Sequence, residues 1–145
     1  MSAAMRMHPV LQGAVRGVSR LHTHLLRWVG GKGFLARNVL ILTTRGRKTG
    51  RERSIPLLYI RDAERLYIVA SFGGNDDAPG WYKNLCVHPE VTVEVDGTQG
   101  PYRCRTLSPE ETKQYWPRLV AMYSPYESYQ KKTSRVIPVV ELTPA

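Results

Sequence analysis

No Asp or Glu occurs before Glu52. The first 51 residues carry ten Lys or Arg, while the rest carries eleven bases against twelve acids, so the net charge of +9 belongs to one end of the chain. Such an end suits the phosphates of a cofactor, of nucleic acid or of a lipid surface. Cysteine is nearly absent. Cys86 and Cys104 lie 18 apart with no CxxC spacing, which excludes a structural zinc site and reads as two reduced thiols. Histidine is equally sparse: His22 and His24 would not share a helix face, and His8 and His88 stand alone, so no metal site is expected. Neither a nucleophile elbow nor HExxH is present. No apolar run reaches the roughly 18 residues of a membrane span. Met1 to Pro9 lacks the apolar core of a signal peptide, and a cytosolic location is expected.

What is present fits one domain of 145 residues with a single core. Leu11, Ala14, Val15, Val18, Leu21, Leu25, Trp28 and Val29 form a helical stripe, with Arg16, Arg20 and Arg27 opposite and Gly30-Gly31 as the stop. Residues 1–30 therefore read as a basic amphipathic N-terminal extension, and residues 31–145 as the main domain. There, Val39–Thr44, Ser54–Ile60 and Arg65–Ala70 read as strands, with Arg61 to Glu64 as a turn. Pro79–Val87 reads as a short helix. Val91–Val95 alternates and meets the Asp96-Gly97 hairpin signal, with Tyr102–Leu107 returning. Ser108-Pro109-Glu110-Glu111 opens a helix running to about Met122, and Ile137–Leu142 is a last strand. About six mostly antiparallel strands with flanking helices make a small α+β barrel.

Three segments carry candidate chemistry. Residues 43–53 hold five bases, two glycines and three threonines between two strands. Glycine lets amides approach an anion closely, and Arg and Lys both suit phosphate. The order is neither GxxxxGK[ST] nor GxGxxG, and a solvated hairpin loop has the same composition. Residues 71–85 place Ser71 at a strand end, then Gly73, Gly74 and Trp81. Such a corner presents a hydroxyl and amides to the polar edge of a ring, with Trp81 as a wall or as core. Tyr123, Tyr126 and Tyr129 recur every third residue and share one side of a turn or helix. Phenols on one face are unusual in a dry core, and a phenol can donate to an oxygen that gains charge. A packing surface is the plainer alternative.

Together, LTTRGRKTGRERSIPLLYI, VASFGGNDDAPGWYKNL with HPEVTVEV, and YWPRLVAMYSPYESYQ with VIPVVEL resemble the deazaflavin-dependent nitroreductase family of actinobacteria, from about Asn38 to Pro144. The resemblance implies a split β-barrel related to FMN-binding oxidoreductases. It also implies coenzyme F420, a phosphate-bearing 5-deazaflavin whose reduced form gives a hydride to quinones, nitroaromatics or similar acceptors. By that resemblance, phosphate binding falls to Gly46, Arg47, Lys48, Thr49, Gly50 and Arg53. The deazaflavin lining falls to Ile55, Pro56 and Leu57, and the ring-edge block to Ala70, Ser71, Gly73 and Gly74 with Trp81 and Asn84. The active-site side chains are then Ser71 and the three tyrosines, with Tyr126 facing the acceptor. Phe72 departs from the lysine common in close relatives, and Pro125 is shifted by one position. FMN is the alternative coenzyme, since it also ends in a phosphate; haem lacks an axial histidine. A nucleic-acid partner is not expected, because no helix-turn-helix or RNP-type pattern accompanies the bases. Residues 10–29 read either as a helix packed on the barrel or as a surface that meets an anionic membrane from the cytoplasmic side.

Overall fold

The computed structural model describes residues 38–145. The N-terminal helix expected over residues 10–29 lies outside the described residues.

Seven strands form one antiparallel sheet. Strand β1 is Val39–Arg45, β2 Glu52–Leu58, β3 Ile60–Asp62, β4 Arg65–Val69, β5 Glu90–Val95, β6 Thr98–Thr106 and β7 Val139–Pro144. Their order is β2-β1-β5-β6-β7-β4-β3. The two edge strands, β2 and β3, are separated in the chain by Tyr59 alone, so the sheet must curl back on itself. The single strand expected over Ser54–Ile60 is thereby divided: one part pairs with β1 and the other with β4. Tyr59 turns its side chain into the interior, 5% exposed, and its amide donates to the Asn38 carbonyl at 3.0 Å. Strand β6 begins earlier than expected because Asp96 and Gly97, with φ of 53° and 76°, make a two-residue hairpin that brings Thr98 opposite Val95 at once.

Alternation along the strands makes two cores. Leu40, Leu42, Leu66, Ile68, Val93 and Val140 point inward and fill the curl, capped by Trp81 and Leu85 of helix α1 (Gly80–Val87). Tyr67, Val69 and Val139 point outward. They are covered by helix α2 (Pro109–Met122) and helix α3 (Pro125–Lys132) through Leu119, Met122 and Tyr126. Helix α2 begins as expected. The Glu111 amide donates to Ser108 Oγ at 3.2 Å and the Ser108 amide donates to Glu111 Oε1 at 3.0 Å, with Pro109 in the first turn. Helix α3 is a separate element, restarted at Pro125 after Tyr123 leaves helical geometry with φ −145° and ψ 91°. No helix among the described residues is long and apolar enough to cross a membrane.

Candidate active site

A cavity of about 720 Å³ opens where the β1–β2 turn, the loop after β4, the start of α1 and helix α3 meet. The β1–β2 turn supplies one end. The Gly46 amide donates to the Arg51 carbonyl at 2.7 Å, and the Gly50 amide to the Gly46 carbonyl at 2.8 Å. A Cβ at position 46 would stand 2.8 Å from Thr49 Oγ1 and 3.1 Å from the Arg51 carbonyl, so a larger residue would crowd the turn. Asn84 of α1 anchors it from below. Its Oδ1 accepts from the Arg47 amide at 3.2 Å and from Arg47 Nη1 at 2.9 Å, and its Nδ2 donates to Thr44 Oγ1 at 3.2 Å.

The turn separates its charges. Arg47, Lys48, Thr49 and Arg53 line the cavity with Gly46, while Gly50 (φ +71°) faces a second hollow with Arg45 and Arg51. Ile55, Pro56 and Leu57 of β2 form one flank. Among the described residues no Asp or Glu lines the cavity, so its three cations stand there without a carboxylate to neutralise them.

The far end is built by the loop after β4. Val69 and Ser71 line the cavity, whereas Ala70, between them on the alternating strand, is turned into the barrel and is fully buried. The chain then takes three successive left-handed residues, Phe72, Gly73 and Gly74, with φ of 45°, 63° and 80°. Phe72 and Gly73 line the cavity. Gly74 does not. A Cβ there would meet the Tyr129 carbonyl at 2.7 Å and Tyr129 Cα at 3.0 Å, so this glycine lets the loop touch the backbone of α3. Of the ring-edge block, then, Ser71 and Gly73 face the cavity, and Ala70 and Gly74 support it from behind.

Trp81, 9% exposed, and the three tyrosines complete the walls. The Tyr123 and Tyr126 rings meet edge to face at 5.0 Å, and Tyr126 and Tyr129 at 6.5 Å. The hydroxyls of Tyr123 and Tyr129 share a hydrogen bond of 3.3 Å, which with burial pushes Tyr123 up to about 12. Tyr126 is 5% exposed and its hydroxyl bonds to no described residue. Burial, then the neighbouring phenols, drive its ionisation well above the ordinary phenol range, so it stands as a neutral donor. Thr44, Ser54, Leu58, Val69, Pro79 and Gly80 also line the cavity without having been singled out from sequence.

The family model of the F420H2-dependent quinone reductases matches residues 18–144. The chain belongs to the F420H2-dependent quinone reductase family. An F420H2-dependent quinone reductase of Mycobacterium tuberculosis is 34% identical over 138 residues, covering 88% of this chain and 91% of that protein. A solved F420-H2 dependent reductase, FDR-A, superposes with a TM-score of 0.68 at 36% identity, over 73% of this chain and 94% of that one. The haem storage protein HutZ of Vibrio cholerae shares the fold at a TM-score of 0.60 and 13% identity, over 86% of this chain and 90% of that one. The split barrel expected from sequence is therefore the fold of this family, drawn from seven strands.

The residues fit the family's coenzyme. A phosphate needs cations without competing carboxylates, and Arg47, Lys48 and Arg53 offer them at the β1–β2 turn. A flat tricyclic ring needs an apolar slot with a few polar groups at its edge. Ile55, Leu57 and Trp81 beside Ser71 and Gly73 provide one in the same cavity.

Proposed function

We propose that this chain binds coenzyme F420 with its phosphate at the β1–β2 turn and passes a hydride from the reduced form to a quinone. The observation that carries the reading is a single cavity. It holds Arg47, Lys48 and Arg53 without any carboxylate at one end and an aromatic, largely apolar slot at the other. The coenzyme supplies the hydride when bound. The chain's own residues do the rest. The cations hold the phosphate, and Ser71 and Gly73 meet the polar edge of the ring. Trp81 and the tyrosines exclude water and hold a flat acceptor close, which accounts for much of the rate. Tyr126 donates a hydrogen bond to the acceptor oxygen as charge builds on it.

Titration of deazaflavin fluorescence tests the reading. Lys48→Ala and Arg53→Ala each remove a charged contact worth about 1.5–3 kcal/mol, roughly 10- to 100-fold in Kd. Equal affinity in both variants and the parent chain would refute the assignment of the turn. FMN in the same titration is expected to bind more weakly, since the family match is to F420 chemistry.

Nitroaromatics share the flat shape and the electron-accepting oxygens of quinones, and we include nitroimidazoles among the proposed acceptors. Loss of the nitro absorbance under reduced F420 reads this out. Residues 10–29 are proposed to lie on an anionic bilayer, where Arg16, Arg20 and Arg27 contribute about 1 kcal/mol each. Pelleting with anionic vesicles, for the full chain against one lacking residues 1–30, tests that contact. Equal recovery in the supernatant would remove it.

A further inference from the structure

Three consecutive left-handed residues form the corner that faces the coenzyme slot, and the first of them is Phe72. A bulky side chain is a poor occupant of that conformation, so something outside the loop must hold it. Arg135 Nε donates to the Asn75 carbonyl at 2.7 Å and Nη2 to the Ser71 carbonyl at 2.9 Å, and both terminal nitrogens donate to the Ala70 carbonyl at 3.3 Å. These acceptors lie on either side of the left-handed run. The guanidinium forms no ion pair among the described residues; its donors go to backbone carbonyls.

Arg135 is itself fixed. Its amide donates to Thr133 Oγ1 at 3.3 Å, Thr133 Oγ1 donates to Asp76 Oδ1 at 2.8 Å, and Gln130 Nε2 donates to the Arg135 carbonyl at 2.8 Å. The segment leaving α3 thus grips the corner, and α3 carries Tyr126 and Tyr129. We propose that Arg135 is a positioning residue: its planar fork keeps the Ser71–Gly74 corner in its left-handed shape and at a fixed distance from the tyrosine wall, so that ring and acceptor are held in register. The activity arm of this inference rests on the proposed hydride transfer; the structural arm does not.

The test uses the full chain with Arg135→Lys, which keeps the charge and loses the fork, and Arg135→Gln as a second variant. Hydrogen exchange in the coenzyme-free protein is read at the Gly74 and Asn75 amides, which donate to the Ser71 and Phe72 carbonyls. We expect at least tenfold faster exchange there, with the β4 amides unchanged within twofold. In a Phe72→Gly background the acceleration shrinks to threefold or less, because glycine takes positive φ unaided. With reduced F420 and menadione, Arg135→Lys lowers kcat at least tenfold while the Kd for F420 stays within threefold. Unchanged exchange at Gly74 and Asn75, equal acceleration in β4, or the same acceleration in the Phe72→Gly background would each overturn the latch. Local acceleration with kcat intact would overturn the positioning role. A parent chain that neither binds F420 nor turns over would sink the coenzyme reading, and the exchange data would still decide the latch.

Discussion

Replacing Asn84 separates the folding of the phosphate turn from its charge. The side chain is 5% exposed and holds three partners, the Arg47 amide, Arg47 Nη1 and Thr44 Oγ1. In Asn84→Ala the exposed Arg47 guanidinium rehydrates at little cost. Thr44 is 1% exposed, so its hydroxyl is left buried without Asn84, at about 1–3 kcal/mol. At about 4 °C per kcal/mol for a domain of this size, the melting temperature falls by about 4–12 °C. Arg47 also loses its anchor, so the turn must be ordered by the ligand. We expect the Kd for F420 to rise about tenfold, or about 1.4 kcal/mol. Asn84→Asp isolates the second effect. The carboxylate keeps an acceptor for both Arg47 donors and can accept from Thr44, so stability stays within about 1 kcal/mol of the parent. It also puts the first anion into a cavity lined by none. Repulsion of a phosphate nearby costs on the order of 1–3 kcal/mol at an effective dielectric near 20, weakening binding at least as much as Asn84→Ala does. Thermal melts and fluorescence titrations on the three proteins check both parts. If Asn84→Asp binds F420 as tightly as the parent, the phosphate does not sit beside α1 and the assignment of the turn fails.

Tyr126→Phe should leave the melting temperature nearly unchanged, since the hydroxyl bonds to no described residue, and should slow menadione reduction on the order of 10–100-fold in single-turnover kinetics. Gly74→Ala puts a Cβ 2.7 Å from the Tyr129 carbonyl at φ +80°, so we expect at least about 1–2 kcal/mol of destabilisation by thermal melt, with a fall in turnover as α3 is pushed away. The bidentate Arg105 guanidinium, at 2.7 and 2.8 Å, and then the Ser108 amide hold the Glu111 carboxyl down to about 2, from an ordinary 4.5. A depressed carboxylate stabilises the fold above its unfolded pKa and loses that contribution as pH falls from about 4.5 towards 2. Melting temperature followed against pH should therefore drop through that window, and less steeply in Arg105→Gln.

The readable parts of this chain are those whose cause is local. Ser108, Pro109 and Glu111 form a capping box with neighbours three residues away, and Asp96-Gly97 turns a hairpin by its own backbone preference. The cationic turn and the tyrosine trio stand out because rare residue types cluster there. Strand phase is harder. Val69 faces the cavity and Ala70 the barrel, a choice set by which face α2 and α3 cover rather than by either residue. The division of Ser54–Ile60 at Tyr59 is harder still, because it depends on β1 and β4 presenting open edges at opposite ends of one sheet. Arg135 marks the limit. In sequence it is one arginine after a Thr-Ser pair, indistinguishable from a solvated charge. Its partners are carbonyls 60 or more residues away, and a carbonyl belongs to every residue type alike. Where a side chain recognises backbone, the acceptor leaves no mark in the sequence, and only the assembled fold reveals that the two walls of the cavity are tied together.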